Sequence, residues 1–77
     1  MRWDWYRLTD EGVTDWFIVR AGRLPSGVIQ LALLDCPGGV EESRELIPLP
    51  TVRAVMEAVR PIGQELRDEG WDVLPWA

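Results

Sequence analysis

The spacing of apolar residues changes once along this chain, at Pro50, and that change limits the folds open to it. Before Pro50 apolar side chains alternate with polar ones or run continuously over short segments, as strands do. From Pro50 onward Val52, Val55, Met56, Val59, Ile62 and Leu66 recur every three or four positions and form one stripe on a helix. Strands first and a helix after them predict an α+β domain: an antiparallel sheet of three or four strands with one helix packed on one face.

Trp3, Trp5 and Arg7 alternate with Arg2, Asp4, Tyr6 and Leu8, the two-residue period of a half-buried strand rich in aromatics. Residues 9–12 read as a turn, with Asp10 and Gly12 suited to it. A second strand is expected over 13–21, with Val13, Phe17, Val19 and Ala21 on one side and Trp16 and Ile18 on the other. Residues 22–27 form a loop bracketed by glycines. The third strand, 28–35, has one row of Ile29, Leu31 and Leu33 and another of Val28, Ala32 and Leu34. So continuous an apolar run predicts the central strand of the sheet. Cys36-Pro37-Gly38-Gly39 breaks it, and a short fourth strand over 45–49 is confined to an edge because Pro48 has no N–H to donate.

Pro50 suits a first helical position, and Arg53, Glu57, Arg60, Gln64, Arg67 and Asp68 fill the polar circumference of the helix. Pro61 removes a backbone donor and clashes one turn back, which predicts a kink or two helices meeting near Arg60. Gly70 is a natural stop. Residues 71–74 then return as a last short strand before Pro75 or pack across the helix. One helix covers only part of such a sheet. The remaining face, with two or three of the five tryptophans, is expected to meet solvent or a partner, and a homodimer would use it as its seam.

At 77 residues the chain is one domain, 1–77, of a size that buries only about 60% of its unfolded surface, so a partner or second copy would add stability. A composition 47% hydrophobic and 27% charged belongs to a folded protein. No apolar run approaches the ~20 residues of a membrane span, and MRWDWYR lacks the apolar core of a secretory signal. With a single cysteine, these features lead us to expect a cytoplasmic protein without membrane contact.

The chain contains no histidine, which removes the usual base near neutral pH, histidine metal ligands and histidine-dependent triads. Cys36 follows Asp35, whose charge raises a thiol pKa, so it reads as a small residue filling a strand end. No lysine follows Gly38-Gly39, and Glu41 and Glu42 repel phosphate, leaving a turn as the reading there. The acidic clusters lack the spacing and glycine of a calcium loop. We expect no catalysis, no cofactor and no metal.

The formal charge of −5 divides into −1 for residues 1–36 and −4 for residues 37–77. Carboxylates spaced along a helix and its adjoining loop imitate the charge array of a nucleic-acid backbone and speed encounter with a basic groove. The candidate partner contacts are Glu41, Glu42, Glu45, Glu57, Glu65, Asp68 and Glu69, with Trp3 and Trp5 as anchors, because aromatic residues dominate interface hot spots. In size and in the acids of EESRE (41–45) and ELRDE (65–69), the profile resembles phage-encoded inhibitors of bacterial defence, the anti-CRISPR proteins. That resemblance implies a non-enzymatic inhibitor, in some cases a DNA mimic, that binds a basic protein or nucleoprotein complex and does not itself bind nucleic acid. The group shares no motif, so no residue role carries over.

Strands followed by a helix also resemble small coactivator-like domains that dimerise and bind single-stranded nucleic acid on their sheets. That resemblance implies bases stacked on Trp3, Trp5, Tyr6 and Trp16, about 1–3 kcal/mol each, with Arg2, Arg7, Arg20 and Arg23 near phosphates. The net −1 of that half runs against the basic groove such proteins display. All eight basic residues are arginine, whose planar fork pairs two-pronged with carboxylate or phosphate. In a third reading the tryptophans serve only the core and a dimer interface.

Overall fold

A computed structural model of the protein describes residues 1–74; Pro75, Trp76 and Ala77 lie outside the described residues. The strands β1 (Arg2–Leu8), β2 (Thr14–Arg23) and β3 (Ile29–Cys36) are followed by a 3-10 turn (Pro37–Gly39), β4 (Ser43–Leu49), the helix α1 (Val52–Asp68) and β5 (Asp72–Val73). They build an open sheet in the order β4-β3-β2-β1-β5, every neighbour antiparallel, with α1 packed on one face. The α+β architecture follows the change of period at Pro50. The fifth strand comes from the segment after Gly70, which pairs Val73 with Trp5 and Asp72 with Tyr6.

Three expectations need correction. β3 is interior but not central; β2 holds the middle of the sheet, and β3 reads as continuously apolar because its outer face is also half covered. The helix also starts later than Pro50. Thr51 is its N-cap, its hydroxyl accepting from the Ala54 N–H at 3.1 Å, which fixes Val52 as the first helical residue. Pro61 does not divide the helix in two: α1 runs through it as a single element, with the proline on the solvent side where the Glu57 carbonyl it leaves unpaired can be hydrated. The helix ends in a Schellman arrangement, with Gly70 at φ 89° and Trp71 N–H donating to Leu66 O at 2.9 Å. That turn sends the chain back onto the free edge of β1. Pro48 sits on β4, an edge strand, as its missing N–H requires.

Strand register decides what lies under the helix. Trp3, Val19 and Leu33 fall in one cross-strand row, and Ala21, Leu31 and Ile47 in the next, all on the α1 side. Val19, Leu31 and Val55 are fully buried, and with Ile29 and Val59 they form the core. At its far end α1 approaches β1 through Gly63: a Cβ there would stand 2.8 Å from Cζ2 of Trp5, so only glycine lets the indole pack this close against the helix. Starting beside Leu49 at one edge and reaching Trp5 near the other, the helix crosses the sheet and leaves an uncovered area on each side of itself.

Candidate functional site

The first uncovered area lies on the α1 side, beyond the helix, where β2, β3 and β4 end. Phe17 pairs with Asp35 and Leu33 with Glu45, so two apolar side chains and two carboxylates share this face. Phe17 and Leu33 are half-buried and floor a shallow depression of about 270 Å³, framed by Asp35, Ser43, Arg44 and Glu45. Glu42 donates its N–H to Asp35 O at 2.8 Å, which draws the β3–β4 connection and Glu41 to the same end. By helical phase, Glu65 and Glu69 lie on the α1 flank that faces this area, about half a turn from Arg60 and Arg67. Charged groups that oppose these acids are already engaged. Arg44 holds Glu41 at 2.7 Å, and Arg7 sits between Asp15 at 3.8 Å and the face of Trp71 at 4.7 Å.

Three of the seven acids expected from the sequence as partner contacts, Glu41, Glu42 and Glu45, therefore gather at this end, while Glu65 and Glu69 lie on the helix flank turned toward it. Glu57 and Asp68 do not; they point to solvent from the back of the helix, engaged by Arg53 at 3.7 Å and Gln64 at 3.0 Å. Asp35, Phe17 and Leu33 were missed as site residues. The alternation of Leu31, Leu33 and Asp35 along β3 held the signal, since it puts the carboxylate in phase with the core row. Among the described residues, no three side chains of metal-ligand type come together.

The proposed tryptophan anchors go elsewhere. Trp5 is 5% exposed, and Trp3 is half-buried beside it. Neither belongs to the acidic end. Instead they floor a second depression, about 350 Å³, between α1 and the β1–β5 edge, bounded by Met56, Arg60, Arg67 and Val73. The Nε1 donors of Trp5 and Trp71 are buried with no acceptor among the described residues, a cost of about 1–3 kcal/mol each.

The bare face of the sheet holds Tyr6, Trp16, Ile18 and Leu34, with Arg2, Arg20 and Arg44 among them. Tyr6 and Trp16 are cross-strand partners with ring centroids 5.6 Å apart. Trp16 is the one described tryptophan on this face, not two or three. Asp4, 3% exposed, accepts from Arg2 Nε at 3.1 Å on both carboxylate oxygens. The arginines do not assemble into one trough: Arg7 and Arg23 point to the α1 side, and Arg53, Arg60 and Arg67 ride the helix.

Cys36 closes β3 on this bare face and is 5% exposed. Burial first, then the charges of Glu41 and Asp35, push its thiol pKa up, against a smaller opposing effect of Arg20. A thiol held protonated is a poor nucleophile.

Compared with family models, curated proteins and solved structures, the chain matches none. No helix among the described residues is long and apolar enough to cross a membrane. The fold and the surfaces together define a two-layer α+β domain with an acid-framed apolar depression at one end.

Proposed function

We propose that this protein is a non-enzymatic binding module that docks a basic protein surface on its acidic end and so keeps nucleic acid from that surface. The observation that carries the reading is the depression floored by Phe17 and Leu33 and framed by Asp35 and Glu45. An apolar centre with carboxylates at its rim combines contact energy with electrostatic steering; the one cation among the described residues of this rim, Arg44, is already paired with Glu41. Glu41 and Glu42 extend that rim, and Glu65 and Glu69 add negative charge on the helix flank that faces it. An inhibitor of the anti-CRISPR kind is the finer form of this proposal, supported by small size and acidic profile. Glu57, Asp68, Trp3 and Trp5 drop out of the contact set, the first two by position and the indoles because they belong to the other flank of the helix.

The runner-up, single-stranded nucleic-acid binding on the sheet, draws support from Tyr6 and Trp16 beside Arg2 and Arg20. It loses Trp3 and Trp5 as stacking platforms and Arg7 and Arg23 as phosphate contacts, since all four lie on the helix side. The bare face is also the seam that the fold offers a homodimer, with Leu46 51% exposed on it.

Two measurements test the proposal together. Labelled single-stranded oligonucleotide is titrated into the protein at about 50 and 200 mM salt, where a phosphate-contacting protein changes affinity steeply. Wild-type and Asp35→Arg/Glu45→Arg baits are compared for the basic proteins they retain. We expect no oligonucleotide binding and loss of basic partners from the reversed bait. Tight, salt-sensitive oligonucleotide binding, or equal retention by both baits, refutes the reading.

A further inference from the structure

The groove on the opposite flank of α1 has a chemistry of its own. Its floor is aromatic and aliphatic, from Trp3, Trp5 and Val73, and its wall carries Arg60 and Arg67 on one side of the helix. These are seven residues apart, two helical turns, with Gln64 between them. In a molecule of net charge −5, both guanidinium groups are without a hydrogen-bond or ion-pair partner among the described residues. The nearest acids on the helix are engaged elsewhere: Glu57 with Arg53 at 3.7 Å and Asp68 with Gln64 at 3.0 Å. The Trp5 ring that floors the groove also keeps a buried N–H without an acceptor. The groove therefore offers donors and cationic charge above an apolar floor and presents no carboxylate of its own.

We propose that this groove binds a small organic acid, its aromatic or branched apolar body lying on the indoles of Trp3 and Trp5 and its carboxylate paired with the Arg60–Arg67 wall. The volume of about 350 Å³ lies at the small end of the range for small-molecule sites, roughly 300–1,000 Å³. It fits a compact ligand rather than a peptide. Arginine suits the carboxylate because its planar fork makes two parallel hydrogen bonds with it. The neighbouring indoles exclude water from one side of that pair, which strengthens it relative to an open surface pair. Gly63 lets the Trp5 ring seat directly against α1, which fixes the floor of the groove, and Met56 bounds it on the helix side. This site shares no residue with the acidic end, so either proposal can fail while the other stands.

The test uses 2-naphthoate as probe and 2-naphthamide as its neutral counterpart, with binding followed by tryptophan fluorescence and by amide chemical shifts. We expect saturable binding of the acid at least ten-fold tighter than of the amide, with shifts at Trp3, Trp5, Gly63 and Val73. Arg60→Gln/Arg67→Gln is expected to weaken the acid ten-fold or more, and Arg53→Gln, outside the groove, to leave it unchanged. These are exposed helix positions, so the variants should fold, which the amide spectrum checks. Equal affinity for acid and amide, indifference to the Arg60 and Arg67 substitutions, or no saturable binding of 2-naphthoate overturns the proposal. Concentration-dependent shifts of the same residues without probe also overturn it, since they would assign the groove to a second copy of the chain.

Discussion

Replacing Gly63 by alanine tests whether helix and sheet are joined as described, because two effects of opposite sign meet at that position. In an exposed helix interior Gly→Ala stabilises by about 0.8–1 kcal/mol through backbone entropy. At Gly63 the new methyl would stand 2.8 Å from Cζ2 and 3.2 Å from Cη2 of Trp5, a ring in a buried side chain. Either the ring or the helix must move by more than half an ångström to restore van der Waals contact, and overpacking of this kind costs about 1–3 kcal/mol. The steric term wins, and we expect a net loss of about 1 kcal/mol, a fall in Tm of roughly 4–8 °C for a domain of this size. Gly22→Ala is the control, since nothing lies within 4 Å of a Cβ there and its φ is not positive. Thermal unfolding followed by far-UV circular dichroism gives both values. In a double-mutant cycle, Trp5→Phe removes the outer ring atoms that clash, so the pair should be less damaging than the sum of the singles. An unchanged or raised Tm for Gly63→Ala, or additivity with Trp5→Phe, would show that the helix does not rest on Trp5.

Thr51→Ala should cost about 1 kcal/mol in urea unfolding by removing the hydroxyl that accepts from Ala54 N–H, and Thr51→Asp should retain the cap. Pro61→Ala should stabilise by on the order of 1–2 kcal/mol, less than the full ~3 kcal/mol propensity gap because the unfolded chain also gains freedom; a lower Tm would mean that Pro61 shapes the helix packing. Cys36 should react with a disulfide reagent at neutral pH much more slowly than the same thiol in urea, because it is 5% exposed and its pKa is raised. The raised pKa also has a stability consequence. The folded state holds the thiol neutral, so this contribution is intact below the ordinary thiol range and is lost as pH rises through the folded-state pKa. Cys36→Ala should flatten that alkaline decline; an identical pH profile would place its cause elsewhere.

Much of this fold is written in local pattern. The alternation of Trp3, Trp5 and Arg7 with Asp4 and Tyr6, the apolar run of β3, the stripe from Val52 to Leu66 and the proline of an edge strand each follow from backbone geometry acting over a few residues. The end of the helix at Gly70 was legible for the same reason, and so was the direction of the Cys36 shift from the neighbouring charge of Asp35, although burial, its largest cause, belongs to the tertiary structure. The site was less so. Which side of the sheet Trp3 and Trp5 occupy is a matter of register against Val19 and Phe17. The split between acidic end and arginine groove depends on the angle at which the helix crosses the sheet. Periodicity sorts side chains into two faces but does not say which face the helix will choose, nor how far one helix reaches across five strands. Those depend on packing between residues far apart in sequence, with Gly63 against Trp5 as the contact that fixes the crossing. Sequence determined the elements and the sign of the charge; tertiary structure decided which acids stand together, which arginines are left without partners, and which indoles a ligand could reach.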